Sequence, residues 1–241
     1  METEHASFRT SAQLKAQART VLLGRYGLTI SATVIFLVIY MTVFGFVSPP
    51  PDTTLTLIWL EITSVVLRLF SGLFASGLAF LYLNLVYGQP ASVGDLFHAF
   101  KEMPLKAIAL QIVFVLAALA ANLPSIIYEL TAGDNYRLLV ALILMAAVPV
   151  LTFVLTLPFS QVYFLLQDFP ERDVPSLLRA SARLMNGHKL RLFLLTLSFL
   201  PLFLVCVVTL FLPMLWLYSY YEAALAVFYK DLMEGGRHGS A

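Results

Sequence analysis

Six stretches of this sequence are each long and apolar enough to form a helix that crosses a lipid bilayer. Such a helix needs about 20 mostly apolar residues to cross roughly 30 Å of hydrocarbon, and it satisfies its own backbone hydrogen bonds. Only 12% of the 241 residues are charged and 60% are hydrophobic, whereas a soluble domain carries about 25% charged residues. The sequence therefore predicts an all-α, polytopic membrane protein with six transmembrane helices in three hairpins. The predicted spans are 28–47, one within 55–87, 105–128, 138–166, 190–212 and 214–232.

The lysines and arginines predict the orientation of these spans, because basic residues stay on the cytoplasmic side during insertion. They concentrate before the first span, between spans two and three, between spans four and five, and after the sixth. Both termini are therefore expected in the cytoplasm. The polar residues 1–27 and the lack of a small-residue cleavage site before the first span predict a retained anchor rather than a signal peptide.

Three cytoplasmic segments have the periodicity of amphipathic helices. In residues 10–25, Leu14, Ala18 and Leu22 share one helical face, and residues 92–100 and 175–186 show similar spacing. An apolar face beside basic residues is typical of a helix lying in the headgroup layer. We therefore expect a single integral membrane domain, 1–241, with three pseudo-repeat units that each begin with an interfacial helix. The units are 10–88, 92–167 and 173–232, followed by a flexible tail over 233–241.

A simpler alternative explains the same periodicity without a repeat. Any cytoplasmic connector beside a bilayer tends to become amphipathic. Local signals nevertheless predict where these helices begin and end: Thr10 and Gln13 match a capping box, Asp173 suits an N-cap, and Gly187 suits a left-handed C-cap.

Glu222 is the most costly residue of the predicted spans. A carboxylate near the bilayer midplane costs about 2.5–3.5 kcal/mol on insertion scales, so it should face the bundle interior with a partner or a proton. Tyr218 lies one turn earlier on the same face. Two interpretations stay open: a proton, cation or headgroup site, or a neutral glutamic acid that only holds the last helix in place.

Arg68 lies inside the second apolar segment, seven residues after Glu61. As one straight helix that segment would be about 50 Å long, so we expect its first third to lie outside the hydrocarbon and Arg68 to snorkel towards water. A pairing of Arg68 with Glu222 is an alternative hypothesis.

Small and amide side chains in the spans predict packing contacts. Gly72, Ser76 and Gly77 form a face that another helix can approach closely. We expect Gln111 and Asn122 to form hydrogen bonds between helices. Pro149 and Pro158 should kink the fourth span.

Several basic residues beside the spans are candidates for contact with lipid headgroups, since clustered cations attract anionic lipids. The alternative is an ordinary cytoplasmic anchor. The candidates are Arg19, Arg25, Arg179, Arg183, His188 and Lys189.

Motifs of known enzymes are lacking in this sequence. It has no nucleophile elbow, no zinc-binding histidine pair and no phosphate-binding glycine loop, and its four histidines lack metal-ligand spacing. The single cysteine, Cys206, permits neither an internal disulfide nor a cysteine metal cage. A net charge of +1 gives no reason to expect a nucleic-acid partner. We therefore expect no enzymatic activity, no metal and no cofactor.

Residues near the carboxyl terminus resemble a known family. The runs 181–189, 192–193, 197–199, 215–216, 220–224 and 228–229 are similar to the bacterial integral-membrane family called domain of unknown function 975, and 11–26 and 95–97 also match its pattern. The sequence departs from that pattern at Ser219 and Pro201. The resemblance implies a multispanning protein of the bacterial inner membrane without an assigned activity.

These observations lead to two functional hypotheses. The first is a non-enzymatic membrane protein that binds or organises lipids, other membrane proteins or further copies of itself. The alternative is a small transporter, channel subunit or immunity factor with a polar intramembrane site at Glu222, Tyr218 and Arg68.

Overall fold

The structure is a computed structural model that describes residues 8–47, 54–132, 137–211 and 213–238. Within those ranges every regular element is a helix, which confirms the predicted all-α fold. Two 3₁₀ segments, Val93–Phe97 and Leu157–Phe159, join the α-helices. The α-helices are α1 Ser11–Leu22, α2 Tyr26–Val47, α3 Thr54–Val86, α4 His98–Glu102, α5 Pro104–Ala132, α6 Leu138–Thr156, α7 Val162–Asp168, α8 Val174–Leu184, α9 Lys189–Leu197, α10 Leu200–Val208 and α11 Met214–His238.

Five helical stretches are long and apolar enough to cross a membrane: Tyr26–Val47, Trp59–Val86, Pro104–Tyr128, Leu138–Asp168 and Lys189–Val208. The sixth predicted span corresponds to α11, which is not among the five found in the described parts of the chain. Polar residues lower the hydropathy of α11, and much of its surface is buried by other helices. The six-span topology therefore stays a prediction.

The polar connectors and the ends of three helices form a common packing layer, which we call the connector end. It comprises α1, α4, α8, Val93–Phe97 and the carboxyl-terminal halves of α3, α7 and α11. Here α1 packs on α11, the segment Val93–Phe97 packs on α3, and α8 packs on α7. In turn α3 contacts both α7 and α11, and the rings of Phe164 and Tyr229 stack between α7 and α11. The segments Val93–Phe97 and α8 thus pack on the helices that precede them in the chain, α3 and α7. The first helix, α1, packs on the last helix, α11.

The hydrophobic core lies at the connector end. Leu14, Ala18 and Leu22 of α1 are at most 2% exposed, and Leu96 and Leu177 are fully buried. These are the apolar faces that the sequence analysis expected in the headgroup layer. The structure places them against the protein instead, because α3, α7 and α11 offer apolar surfaces that the short helices cover.

Apolar residues away from the connector end remain exposed. In α6, which is described throughout, no residue is buried, and α10 buries only Cys206. Met145 is 74% exposed and Val208 is 82% exposed. A continuous apolar surface of this kind is compatible with lipid and unfavourable in water.

Proline positions explain two interruptions of the predicted spans. Pro158 lies in the 3₁₀ segment that separates α6 from α7, as expected, whereas Pro149 lies inside α6. The fifth predicted span is divided into α9 and α10, and Pro201 occupies the first turn of α10. Proline suits a first turn because its missing N–H has no partner there.

Close helix contacts confirm the prediction for the small residues of α3. A side chain added at Gly77 would overlap the carbonyl of Leu96, and one added at Gly72 would overlap Gln111. Gln111 accepts a 2.6 Å hydrogen bond from Tyr163 Oη, which confirms its predicted role between helices. The prediction for Asn122 is wrong, because its amide donates to the carbonyl of Ala118 in its own helix.

The predicted tail is mostly helical. α11 continues to His238, so only residues 239–241 of the tail lie outside the described chain. Phe8 packs against Gly235, and Arg9 pairs with Glu234 at 3.4 Å. These contacts with the amino-terminal segment explain why the helix extends beyond the predicted end at residue 232.

Candidate functional sites at the connector end and in the bundle

Three arginine side chains line one groove at the connector end, between α7, α8 and α11. The groove has a volume of about 520 Å³. We call it the arginine groove. Its lining residues are Arg172, Arg179, Arg183, Ser176, Leu165, Phe169, Ala180, Leu184 and Met233.

Local structure positions these arginines. Arg179 and Arg183 are four residues apart in α8 and therefore share one face of the helix. The Arg172 guanidinium lies 4.4 Å from the centre of the Phe169 ring, which is a cation–π geometry. Lys106 Nζ holds the preceding loop by donating to the carbonyls of Pro170 and Arg172.

The arginine groove is electrostatically unbalanced. Across the described ranges, none of its three arginines forms an ion pair, whereas Arg9 and Arg191 both pair with carboxylates. The carboxylate of Asp173 interacts electrostatically with Arg179. Hydrogen bonding to Ser176, with a smaller contribution from Arg179, holds the pKa of Asp173 below its usual value. Asp173 is therefore ionised at neutral pH and offsets only part of the positive charge.

The other four predicted headgroup residues lie away from this groove. Arg19 Nε donates a 2.8 Å hydrogen bond to Tyr220 Oη, so this side chain connects α1 to α11. Arg25 is exposed in the turn before α2, and Lys189 is exposed at the first residue of α9. His188 packs edge-on against Phe8, with 4.6 Å between the ring centres. Helical spacing in the sequence thus predicts two of the three groove arginines, Arg179 and Arg183, and gives no signal for Arg172, which lies just before the N-cap of α8.

Asp231 is a buried charged residue to which no pattern in the sequence points. It is only 6% exposed and accepts a 2.7 Å hydrogen bond from Arg191 Nη2. Arg191 also donates to the carbonyl of Arg9 and lies over the ring of Phe8. We call Phe8, Arg9, Arg191 and Asp231 the terminal clamp, because they join the start of the chain to its last helix.

Burial, together with the Arg191 guanidinium, holds the pKa of His188 below its usual value, and the charge of Asp231 offsets only part of this effect. His188 therefore stays neutral to lower pH than a solvent-exposed histidine. Its protonation would place a further cation beside the two arginines of the terminal clamp.

Glu222 lies in α11 on the side that faces α3. Its carboxyl interacts with the hydroxyl of Tyr218 one turn earlier, as their shared helical face predicts. Tyr82 of α3 is close enough for an electrostatic interaction between its hydroxyl group and Glu222. Glu222 is partly buried, whereas the neighbouring residues Ser219 and Ala223 are fully buried.

The hydroxyl groups of Thr29 and Thr33 in α2 complete this polar region. The Tyr82 hydroxyl faces those of Ser219, Thr29 and Thr33, and all four residues are buried. We call these four residues with Tyr218 and Glu222 the hydroxyl cluster. No sequence motif connects α2, α3 and α11, so only the packing brings this cluster together.

Arg68 is separate from the hydroxyl cluster. It is exposed on α3 and lies 14 residues before Tyr82, which corresponds to about 21 Å along the helix axis. The structure therefore does not bring Arg68 to Glu222. In the described residues no group of three or more histidine, cysteine, aspartate or glutamate side chains has the arrangement of a metal site.

Comparison with known proteins gives one match. The profile of the family described as protein of unknown function (DUF975) matches residues 6–235, which is nearly the whole chain. No curated protein and no solved structure shows significant similarity to the chain. The match includes every helix that forms the arginine groove and the hydroxyl cluster. The chain therefore belongs to the DUF975 family of proteins of unknown function.

Proposed function

We propose that this protein is a non-enzymatic, multispanning protein of the bacterial inner membrane that binds the phosphate groups of anionic lipids in the arginine groove. The observation that carries the proposal is the set of three arginines, Arg172, Arg179 and Arg183, without an ion-pair partner in the described residues. Guanidinium groups form charge-assisted, bidentate hydrogen bonds with phosphate oxygens. A phosphate would supply the negative charge that this groove lacks.

The shape of the groove supports a lipid as the source of that phosphate. Leu165, Phe169, Leu184 and Met233 give the groove an apolar wall beside the guanidinium groups. A lipid presents a phosphate directly next to apolar chains, whereas a soluble phosphate has no apolar part to bury. The exposed apolar helices α6 and α10 support insertion into the same membrane.

The proposed orientation places the connector end and both termini in the cytoplasm. This follows from the concentration of basic residues in the connectors. The cytoplasmic leaflet carries anionic lipids, and each basic residue near its surface contributes about 1 kcal/mol of attraction. Bound lipids would assemble around the connector end and organise the membrane next to this protein or its partners.

Lipid retention measured by native mass spectrometry tests this proposal. The protein is purified in detergent and offered phosphatidylglycerol or phosphatidylcholine. We expect the triple variant R172Q/R179Q/R183Q to retain phosphatidylglycerol on the order of 100-fold less than the wild type, because each arginine removed takes away a charge-assisted hydrogen bond to the phosphate that contributes at least about 1 kcal/mol. Phosphatidylcholine retention should change little.

A matched control separates the groove from general attraction between charges. The variant R25Q/K101Q/K189Q removes the same number of positive charges from exposed positions outside the groove. We expect it to retain phosphatidylglycerol as the wild type does. Equal losses in the two triple variants, or full retention in the groove variant, would contradict the proposal.

A further inference from the structure

The hydroxyl cluster contains a carboxyl group without a compensating positive charge. In the part of the chain that the structure describes, no lysine, arginine or histidine pairs with Glu222. Its interacting group is the hydroxyl of Tyr218, which is neutral. An ionised carboxylate in such an environment is unfavourable unless a cation or a proton accompanies it.

The basic residues of α1 do not supply that charge. Lys15 donates to the carbonyl of Ser198, and Arg19 donates to Tyr220. Tyr220 is two residues before Glu222, so it points to nearly the opposite side of α11. The titratable groups that α3 and α11 place near Glu222 are Tyr82, Tyr218 and Tyr221.

The threonines of α2 add no charge, and their hydroxyl protons are already donated to backbone carbonyls. Thr29 Oγ1 donates to the carbonyl of Tyr26, and Thr33 Oγ1 donates to that of Thr29. Their oxygen atoms can therefore only accept from Tyr82. α9 reaches this side of α11 with the hydroxyl of Thr196, which is 3.2 Å from Tyr221 Oη.

Two donors in the cluster are incompletely used. The Tyr82 and Ser219 hydroxyls are fully buried, and neither forms a well-directed hydrogen bond with the described residues. A carboxyl group that loses its proton becomes a carboxylate, which needs such hydrogen-bond donors. Tyr82 lies within reach of electrostatic interaction with Glu222, and Ser219 is three residues before it in α11.

We propose that Glu222 is a proton-binding site whose proton exchanges with water through the partly exposed edge of this residue. The protonated carboxyl is compatible with the observed contact to Tyr218, and the hydroxyls of Tyr82 and Ser219 stabilise the carboxylate after the proton leaves. Calcium and magnesium ions require about six oxygen ligands, and in the described residues Glu222 belongs to no group of three or more histidine, cysteine, aspartate or glutamate side chains that could hold a metal ion. The site is independent of lipid binding in the arginine groove.

Infrared difference spectroscopy of the purified full chain between near-neutral and alkaline pH tests this proposal, because exposed carboxyl groups are ionised at both pH values and give no difference band there. A protonated carboxyl has a C=O stretching band that disappears on ionisation. We expect such a band in the wild type and in Glu61→Gln, which removes an exposed carboxyl of α3, and its loss in Glu222→Gln. A band of unchanged intensity in Glu222→Gln would overturn the proposal.

A second variant keeps the carboxyl and therefore keeps the test informative if Glu222→Gln fails to fold. Tyr218→Phe removes the interacting hydroxyl, and we expect it to shift both the band frequency and its titration midpoint. An unshifted band overturns the proposal. The titration is repeated with sodium chloride and choline chloride at equal ionic strength. A band that sodium alone displaces at constant pH would identify a metal-cation site and would also overturn the proposal.

Discussion

Arg191 and Asp231 form a 2.7 Å ion pair that joins α9 to α11, although 40 residues separate them in the sequence. Asp231 is almost completely buried, and the backbone N–H of Arg9 also donates to its carboxylate. The pair therefore connects the amino-terminal segment, the fifth apolar stretch and the last helix at one position.

Removing the carboxylate of this pair should destabilise the protein strongly. We expect Asp231→Ala to lower the free energy of unfolding by about 3 kcal/mol, because truncating one partner leaves a buried charge uncompensated. Thermal unfolding in detergent measures the change. Glu234→Gln is the control, since its pairs with Arg9 and Lys230 are exposed and should contribute at most about 1 kcal/mol. Equal effects of the two variants would contradict the structural role of the terminal clamp.

Gly77 should tolerate no larger residue. We expect Gly77→Ala to cost about 3 kcal/mol or to prevent folding, because the new methyl group overlaps the backbone of the segment Val93–Phe97. Gly45→Ala is the matched control in α2, since no atom lies near the added methyl group there. Its stability should change by no more than about 1 kcal/mol, as expected from helix propensity. Folded yield and the unfolding midpoint measure both variants.

Acidification should weaken the protein through His188. Its lowered pKa means that the folded protein binds this proton less readily than the unfolded chain does. This contribution to stability is fully present above the unfolded histidine pKa of about 6.5, and it is lost as the pH falls through the lower pKa of the folded state. We expect His188→Gln to flatten the fall of the unfolding midpoint with decreasing pH over this window. An identical pH profile for wild type and variant would contradict this prediction.

Gln111 should act as a buried connector between helices. Gln111→Leu removes the acceptor for Tyr163 and a contact with Ser71, so we expect a loss of about 1–2 kcal/mol for the unsatisfied hydroxyl. The double variant Gln111→Leu/Tyr163→Phe should recover part of that loss, because it removes the orphaned hydroxyl as well. A double-mutant cycle on unfolding free energies measures this coupling. Additive losses would contradict the proposed hydrogen bond.

Local sequence signals predicted several features correctly. Thr10 and Gln13 form the predicted capping box, and Gly187 adopts a positive φ of 81° beyond α8. Asp173 occupies the N-cap position of α8, although its side chain does not bond the helix backbone. Capping and left-handed glycines depend on residues a few positions apart, so a sequence displays them directly.

Contacts between distant segments could not be predicted in the same way. Gln111 and Asn122 both carry a side-chain amide. The amide of Gln111 forms a hydrogen bond to another helix, whereas that of Asn122 forms a hydrogen bond within its own helix. Arg179 and Arg183 were identified by their helical spacing, but Arg172 joins them only through the loop that Lys106 holds. Such outcomes depend on which helix lies opposite, and periodicity contains no information about that partner.

The amino-acid sequence alone determined that the chain is helical and that at least five of its segments suit a lipid environment, because length, apolarity and capping are local properties. The tertiary structure decided that the amphipathic helices bury their apolar faces in the protein, that α11 packs against α1, α2 and α3, and that Glu222 lies among hydroxyls rather than beside Arg68. An apolar face is stabilised equally by lipid or by another helix. The geometry of the whole bundle determines which of the two it contacts.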